Sequence, residues 1–156
     1  MSFLEPQRNG ISSTSERRAC NVLMIYPRFQ VNTFWNFSEA CKLAGTRYPT
    51  APLGLITVAA MLPAHWNVRL VNRNTEDVVE ADFAWADMVM TGGMIAQQFD
   101  SLRMIDLAHK HGKPVVVGGP DATSSPHIYK GADFRVLGEV DDAAQPVCAL
   151  AATTAA

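Results

Sequence analysis

The sequence predicts a doubly wound α/β domain, with a five-stranded parallel sheet in the order 2-1-3-4-5 and helices on both faces. Three observations carry this. Continuous apolar runs such as Asn21-Val22-Leu23-Met24-Ile25-Tyr26 and Pro114-Val115-Val116-Val117 suit strands covered on both faces. The runs alternate with segments of helical character, and alternation implies parallel strands joined by right-handed crossovers. Two of the runs end in glycine pairs, Thr91-Gly92-Gly93 and Gly118-Gly119-Pro120.

In an open parallel sheet, ligands sit beyond the carboxyl ends of the strands, where glycine lets the backbone approach them. The alternative is that the glycines only make tight strand-to-helix turns. Two pairs, together with a long loop after the first strand, favour a binding edge.

Residues 1–20 are rich in Ser, Arg, Asn and Gln and cannot bury enough to order themselves, so a disordered leader is expected. The first strand, 21–26, is stopped by Pro27. The stretch 27–51 is longer than ordinary loops and carries Phe29, Phe34, Trp35, Phe37 and Tyr48, which argues for function rather than disorder. A helix follows over 52–62, opened by Pro52, closed by Pro63 and apolar nearly all round, hence expected to be buried.

Strand two is expected at 68–71, a short helix at 76–84 and strand three at 87–91. Leu102, Ile105, Leu107 and Ala108 lie at helical spacing in a helix over 97–111 that stops at Gly112. Strand four is 114–118, a helical turn or two falls at 124–130, and strand five is 134–137, before Gly138-Glu139. The domain thus spans 21–140, and 141–156 is either a weak covering helix or a frayed tail.

With 156 residues, 48% of them hydrophobic and 18% charged, the chain can bury one sizeable core, and its length argues for one domain. A net charge of −2 without a Lys/Arg-rich run gives no footprint for nucleic acid. No apolar run reaches membrane-spanning length, and no secretory signal is present. Cys20, Cys41 and Cys148 are odd in number and widely spaced, which fits thiols in a reducing, cytoplasmic setting better than a zinc or disulfide framework.

Several nucleotide chemistries are disfavoured. Pro27-Arg28-Phe29 stands where a dinucleotide fold needs G-x-G-x-x-G, and Gly112-Lys113-Pro114 lacks the loop and hydroxyl of a phosphate-binding loop. Met24-Ile25-Tyr26 lacks the paired acids of a receiver domain. His65, His109, His111 and His127 have no partners at metal-ligand spacing. Asp121 is either a functional acid at the sheet edge or a helix N-cap. Arg28 either meets a ligand or pairs with Asp121 or Glu139. Phe29, Phe34 and Trp35 either wall a flat ligand or form a satellite core. No nucleophile with a base and orienting group can be assembled, so the residues describe a binding domain.

The motifs Val22-Leu23-Met24-Ile25-Tyr26-Pro27, Tyr48-Pro49-Thr50-Ala51-Pro52-Leu53-Gly54-Leu55, Ala86-Asp87-Met88-Val89-Met90-Thr91-Gly92-Gly93, Val117-Gly118-Gly119-Pro120 and Leu137-Gly138-Glu139 have a family counterpart. Together they resemble the N-terminal cobalamin-binding domain of cobalamin-dependent radical S-adenosylmethionine enzymes, most of all the hopanoid C-2 methylase group. The likeness covers residues 21–139. It implies a Rossmann-like, flavodoxin-like fold with the corrin ring over the carboxyl edge and its nucleotide tail running into the sheet.

By that resemblance, Thr91, Gly92, Gly93, Gly118, Gly119 and Pro120 line the tail pocket, Leu137, Gly138 and Glu139 close it, and Met94 and Asp121 are expected among the cofactor-binding residues. Tyr26, Pro27, Arg28, Phe29, Leu53 and Gly54 approach the lower face of the ring. Tyr26, Arg28 and Val31 occupy the places of the Asp-x-His-x-x-Gly motif of other cobalamin carriers, so no histidine ligand to cobalt is expected. Cys-x-x-x-Cys-x-x-Cys is absent, so no iron-sulfur cluster and no catalysis by this chain alone are expected. The implied role is a corrinoid module serving methyl transfer by a separate or missing radical domain. The alternative is a cofactor-free regulatory or protein-interaction domain that retains the fold.

Overall fold

The computed structural model describes residues 19–31, 33 and 36–139. The expected leader lies almost wholly outside the described residues, as do the aromatic pair Phe34-Trp35, Cys148 and the 141–156 tail. The strands are β1 (Asn21–Tyr26), β2 (Asn67–Asn72), β3 (Met88–Gly92), β4 (Val115–Gly118) and β5 (Phe134–Arg135), and the helices are α1 (Ser38–Ala44), α2 (Leu53–Met61), α3 (Glu80–Trp85), α4 (Gln98–Lys110) and α5 (Pro120–Ser124). All neighbouring strands pair in parallel, in the order β2-β1-β3-β4-β5. The fold is therefore the Rossmann-like α/β architecture the alternation predicts.

Because side chains alternate along a strand, the sheet has two apolar faces. Leu23, Ile25, Val89, Val115 and Val117 point to one, where Phe83 of α3, Met104, Ile105 and Ala108 of α4 and Ala122 of α5 cover them. Val22, Met24, Tyr26, Met88, Met90 and Val116 point to the other, where among the helices only α2 supplies cover, through Leu55, Val58 and Ala59. The second face is under-covered, and that asymmetry positions the site.

The loop after β1 is pinned by polar groups from the neighbouring β2–α3 loop and from α4. Arg73, on 6% exposure, holds Asp100 through Nε to Oδ2 at 2.8 Å and Nη2 to Oδ1 at 3.1 Å. Burial works against the Arg73 charge, but Asp100 and Asp77 outweigh it and raise its pKa. Asp100 Oδ2 also accepts the Arg28 N–H at 2.8 Å, and Asn74 Oδ1 accepts the Phe29 N–H at 3.0 Å. Gln97, fully buried, donates Nε2 to the Pro27 carbonyl at 2.6 Å.

Several expectations are corrected. The 27–51 loop contains α1, which stops where Gly45 turns left-handed at φ 66°. The helix expected over 76–84 is confined to Glu80–Trp85, because the Thr75 and Glu76 N–H groups close a turn on the Asn72 carbonyl. Helix formation after β4 begins at Pro120, directly after Gly119, and 126–131 forms turns. Strand pairing in β5 ends at Arg135, with one further bond from the Val136 N–H to the Val117 carbonyl. Helix α2 is apolar yet not buried all round: Leu53 is 66% and Ile56 48% exposed. No helix among the described residues is long and apolar enough to cross a membrane.

Asp100→Ala leaves the Arg73 guanidinium buried without its carboxylate. Urea denaturation is expected to show a loss of about 3 kcal/mol or more, with the double variant Arg73→Met, Asp100→Leu recovering much of it. At the other end of the sheet, Asp133 Oδ2 accepts the Val115 N–H at 2.7 Å and lies 2.8 Å from His109 Nε2. Burial raises its pKa, but the bonds to His109 and Val115 prevail and hold it below the ordinary value. A depressed carboxylate stabilises the fold above its unfolded pKa, near about 3.9, and loses that contribution as pH falls through the folded value. The stability gap between wild type and Asp133→Asn should therefore be full at neutral pH and close in strong acid.

Candidate functional site

The carboxyl edge of the sheet is built around bare backbone. Gly92 sits opposite Gly118 in the β3–β4 register. A Cβ on Gly92 would come within 2.6 Å of the Gly118 carbonyl oxygen, and one on Gly93 within 2.7 Å of Gln97 Oε1. Gly119, at φ 91° and ψ −178°, occupies a region open essentially to glycine alone, and its missing Cβ faces the Gly93 backbone. Tight turns, the alternative reading of these glycines, are thus a real requirement of the chain. The same geometry leaves two peptide ridges without side chains, and these ridges floor a cavity.

The cavity measures about 740 Å³ and lies between α2 and the under-covered sheet face. Helix α2 spans nine residues, so at about 1.5 Å rise per residue its wall is about 13 Å long. Apolar walls come from Leu55 and Val58 on the helix, from Leu62 just after it, and from Met90, Val116 and Val136 on the sheet side. Thr50, Thr57, Thr123, Ser124 and Glu139 supply polar side chains to the lining beside the glycine turns. A Cβ on Gly54 or Gly138 would meet nothing within 4 Å, so both positions leave open space along the cavity.

Polar side chains of the lining residues are already engaged. The Thr91 hydroxyl donates to the Ile25 carbonyl at 2.9 Å, and the Tyr26 hydroxyl donates to the Thr50 carbonyl at 3.1 Å. Burial pushes the Tyr26 phenol pKa up, with the Gln97 contact opposing it, so Tyr26 is a neutral donor. Gln97 donates Nε2 to the Pro27 carbonyl at 2.6 Å and accepts the Met94 N–H at 3.1 Å.

The structure brings Tyr26, Leu53 and Gly54 together with Thr91, Gly92, Gly93 and Met94 around this cavity. Gly118, Gly119 and Pro120 join them, as do Gly138 and Glu139. Pro27, Arg28, Phe29 and Asp121 are placed elsewhere. Arg28 donates Nε to the Arg73 carbonyl and Nη2 to Asp77 at 2.9 Å, so its partner is neither Asp121 nor Glu139. Phe29 is buried in the core, edge-on to Tyr26 at 6.1 Å. Asp121 lies inside the first turn of α5 rather than at its N-cap, accepting Gln98 Nε2 and the Tyr129 hydroxyl at 2.6 Å. Burial is the first cause that pushes the Tyr129 pKa up, with Asp121 adding to it.

Sequence reasoning missed the α2 wall beyond Gly54, the sheet residues Met90, Val116 and Val136, and the hydroxyls of Thr123 and Ser124. The available signal was parity: Met90 and Val116 each lie two residues before a strand-end glycine and so point to its face. Among the described residues, no histidine lines the cavity. His109 and His111 end α4 at the amino edge of the sheet, His109 beside Asp133 and His111 stacked on Phe83 at 4.6 Å.

Residues 43–147 match the model of a family described as B12 binding domain. An uncharacterized methyltransferase of Synechocystis sp. is 47% identical over 119 residues, which cover 75% of this chain and 22% of that protein. A hopanoid C-2 methylase of Rhodopseudomonas palustris is 31% identical over 140 residues, 89% of this chain and 26% of that protein. The chain spans about a quarter of the length of these curated relatives.

Two glycines separate the chain's own needs from open space. Gly92→Ala is expected to destabilise the domain by about 1–3 kcal/mol through overpacking against Gly118. Gly54→Ala, with nothing to clash and a better helix former in place, should be neutral or stabilising by up to about 1 kcal/mol. Chemical denaturation without added ligand checks both.

Proposed function

The chain belongs to the B12-binding domain family, and on that premise we propose that it holds cobalamin in the cavity between α2 and the β3–β4 face, with no protein histidine on the cobalt. The observation that carries this is the slot itself: a long apolar opening beside bare strand ends, on the one sheet face that a single helix covers. Its volume lies within the range of cofactor sites. Bound cobalamin supplies one-carbon transfer chemistry through its metal.

In this reading Gly92, Gly93, Gly118 and Gly119 give the cofactor backbone to rest on, a Cβ being crowded at Gly92 and Gly93 and strained at Gly119 by its positive φ. Gly54 and Gly138 leave room along the walls. Leu55, Val58 and Val116 exclude water from the slot. Tyr26 lines it as a neutral phenol tied to Thr50. The loop after β1 carries no histidine, and its start is clamped by Asp100, Asn74 and Gln97, so it would hold the group without offering an imidazole to the metal.

Methyl transfer is the process served, since both curated relatives are named as methyltransferase or methylase. The catalytic part is a radical S-adenosylmethionine domain or partner that carries the iron-sulfur cluster, because the three cysteines here lack the spacing for one. Leu53 and Met94 of the lining are exposed, as are Leu137, next in sequence to the lining residues Val136 and Gly138, and Ile95 and Phe99 just after Met94, at 64% and 71%. An apolar rim of this kind fits burial under such a partner. The reducing setting that cluster needs matches a cytoplasmic location.

Hydroxocobalamin mixed with the purified chain should remain bound after desalting, seen as retained corrin absorbance. Gly54→Trp should cut that retention about tenfold or more while the far-UV circular dichroism is unchanged, the Gly54 side being open space. No retention by the folded wild type would remove the cofactor reading and leave an interaction domain. Alanine at His65, His109, His111 or His127 should leave the bound spectrum unaltered; a shift in any one of them would identify a cobalt ligand.

A further inference from the structure

We infer that Gln97 is a positioning residue for the bound cofactor: its buried amide spans the ends of β1 and β3 and fixes the stretch after β1 against the Gly92–Gly93 ridge. The inference rests on the cobalamin reading above and adds the residue that keeps the site in its receiving shape.

The parallel pairing of β1 with β3 runs as far as Ile25 and Thr91. Between these two strands the strand order reverses, which is where an open sheet parts into a crevice. Gln97 ends the single turn Ile95–Gln97, borders the cavity and has none of its surface exposed. On the β1 side its Nε2 donates to the Pro27 carbonyl at 2.6 Å, and on the β3 side its Oε1 accepts the Met94 N–H at 3.1 Å. The amide also meets the Tyr26 hydroxyl. A Cβ on Gly93 would come within 2.7 Å of the same Oε1, so the glycine ridge packs against the amide. The Gln30 N–H donates to the Ala96 carbonyl at 2.9 Å and ties the two segments a second time.

The position needs an amide. One side-chain end has to donate to a carbonyl and accept from an N–H, which glutamine does and an ionised carboxylate, a lysine or a methionine does not. Without it the Met94 N–H loses its acceptor, while the Pro27 carbonyl keeps only Asn74 Nδ2, at 3.2 Å, of its two side-chain donors. The strand ends then shift more freely, a smaller fraction of molecules holds the receiving shape, and affinity falls by that fraction.

The test titrates the full chain with hydroxocobalamin, as wild type, Gln97→Met and Gln97→Glu, from about pH 5 to about pH 9, with far-UV circular dichroism at each pH to confirm the fold. Gln97→Met is expected to bind about tenfold more weakly than wild type, the size of one lost partner. A neutral glutamic acid donates and accepts as the amide does, and burial raises its pKa. Gln97→Glu should therefore match wild type at the acid end and lose affinity relative to it as the carboxyl ionises; the ratio at each pH removes the probe's own titration. If Gln97→Met does not fold, the Gln97→Glu profile decides alone. Folded Gln97→Met binding as tightly as wild type, with only its urea midpoint lowered, would overturn the inference and leave corrinoid binding intact. A Gln97→Glu ratio that does not change with pH would overturn it as well. No binding by the folded wild type at any pH would bring down the cobalamin reading itself.

Discussion

The structure turns on one close approach. Gly92 and Gly118 are register partners at the ends of β3 and β4, and a single Cβ on Gly92 would sit 2.6 Å from the opposite carbonyl oxygen. Gly93 and Gly119 extend the same contact into the turns, where the Asp121 N–H donates to the Gly93 carbonyl. Core packing resists such overlap because interiors are already close to crystal density. The edge is consequently made of peptide planes, and whatever lies on it meets backbone.

A second asymmetry turns this edge into a site. Three helices cover one sheet face, while α2 alone covers the other among the helices, and α2 is apolar on the side away from the sheet as well. A helix of that composition ordinarily lies inside a protein. Here part of its apolar surface faces a cavity and part faces outward, which leaves two unmatched surfaces: a slot suited to a cofactor and a rim suited to a partner. Family membership agrees with the first of these.

Much of the fold was legible. Apolar runs gave the five strands to within a residue or two at most boundaries, and helix-strand alternation gave the parallel sheet, whose expected order 2-1-3-4-5 is the one observed. What the sequence hid was contact between distant segments. Arg28 and Asp77 are separated by 49 residues and meet because β2 lies beside β1, which no local pattern encodes. Asp121 reads as an N-cap because it follows a glycine pair, but Gly119 takes that position and Asp121 turns inward to Tyr129 and Gln98. Helix α1 was hidden in an aromatic-rich stretch with weak periodicity. The burial of α2 was overread because hydropathy cannot distinguish a surface covered by protein from one covered by a ligand. At the site, the glycine pairs and the Leu53-Gly54 turn were visible as motifs, whereas the apolar wall that they lead to needed the register.

The central claim is that the space between α2 and the β3–β4 face receives the cofactor. A crystal structure of the chain grown with hydroxocobalamin tests it directly. Corrin density over Gly92–Gly93 and Gly118–Gly119, with the nucleotide arm between α2 and Val116, is the predicted result. Cofactor density elsewhere, or α2 collapsed onto the sheet so that no arm fits, would contradict it.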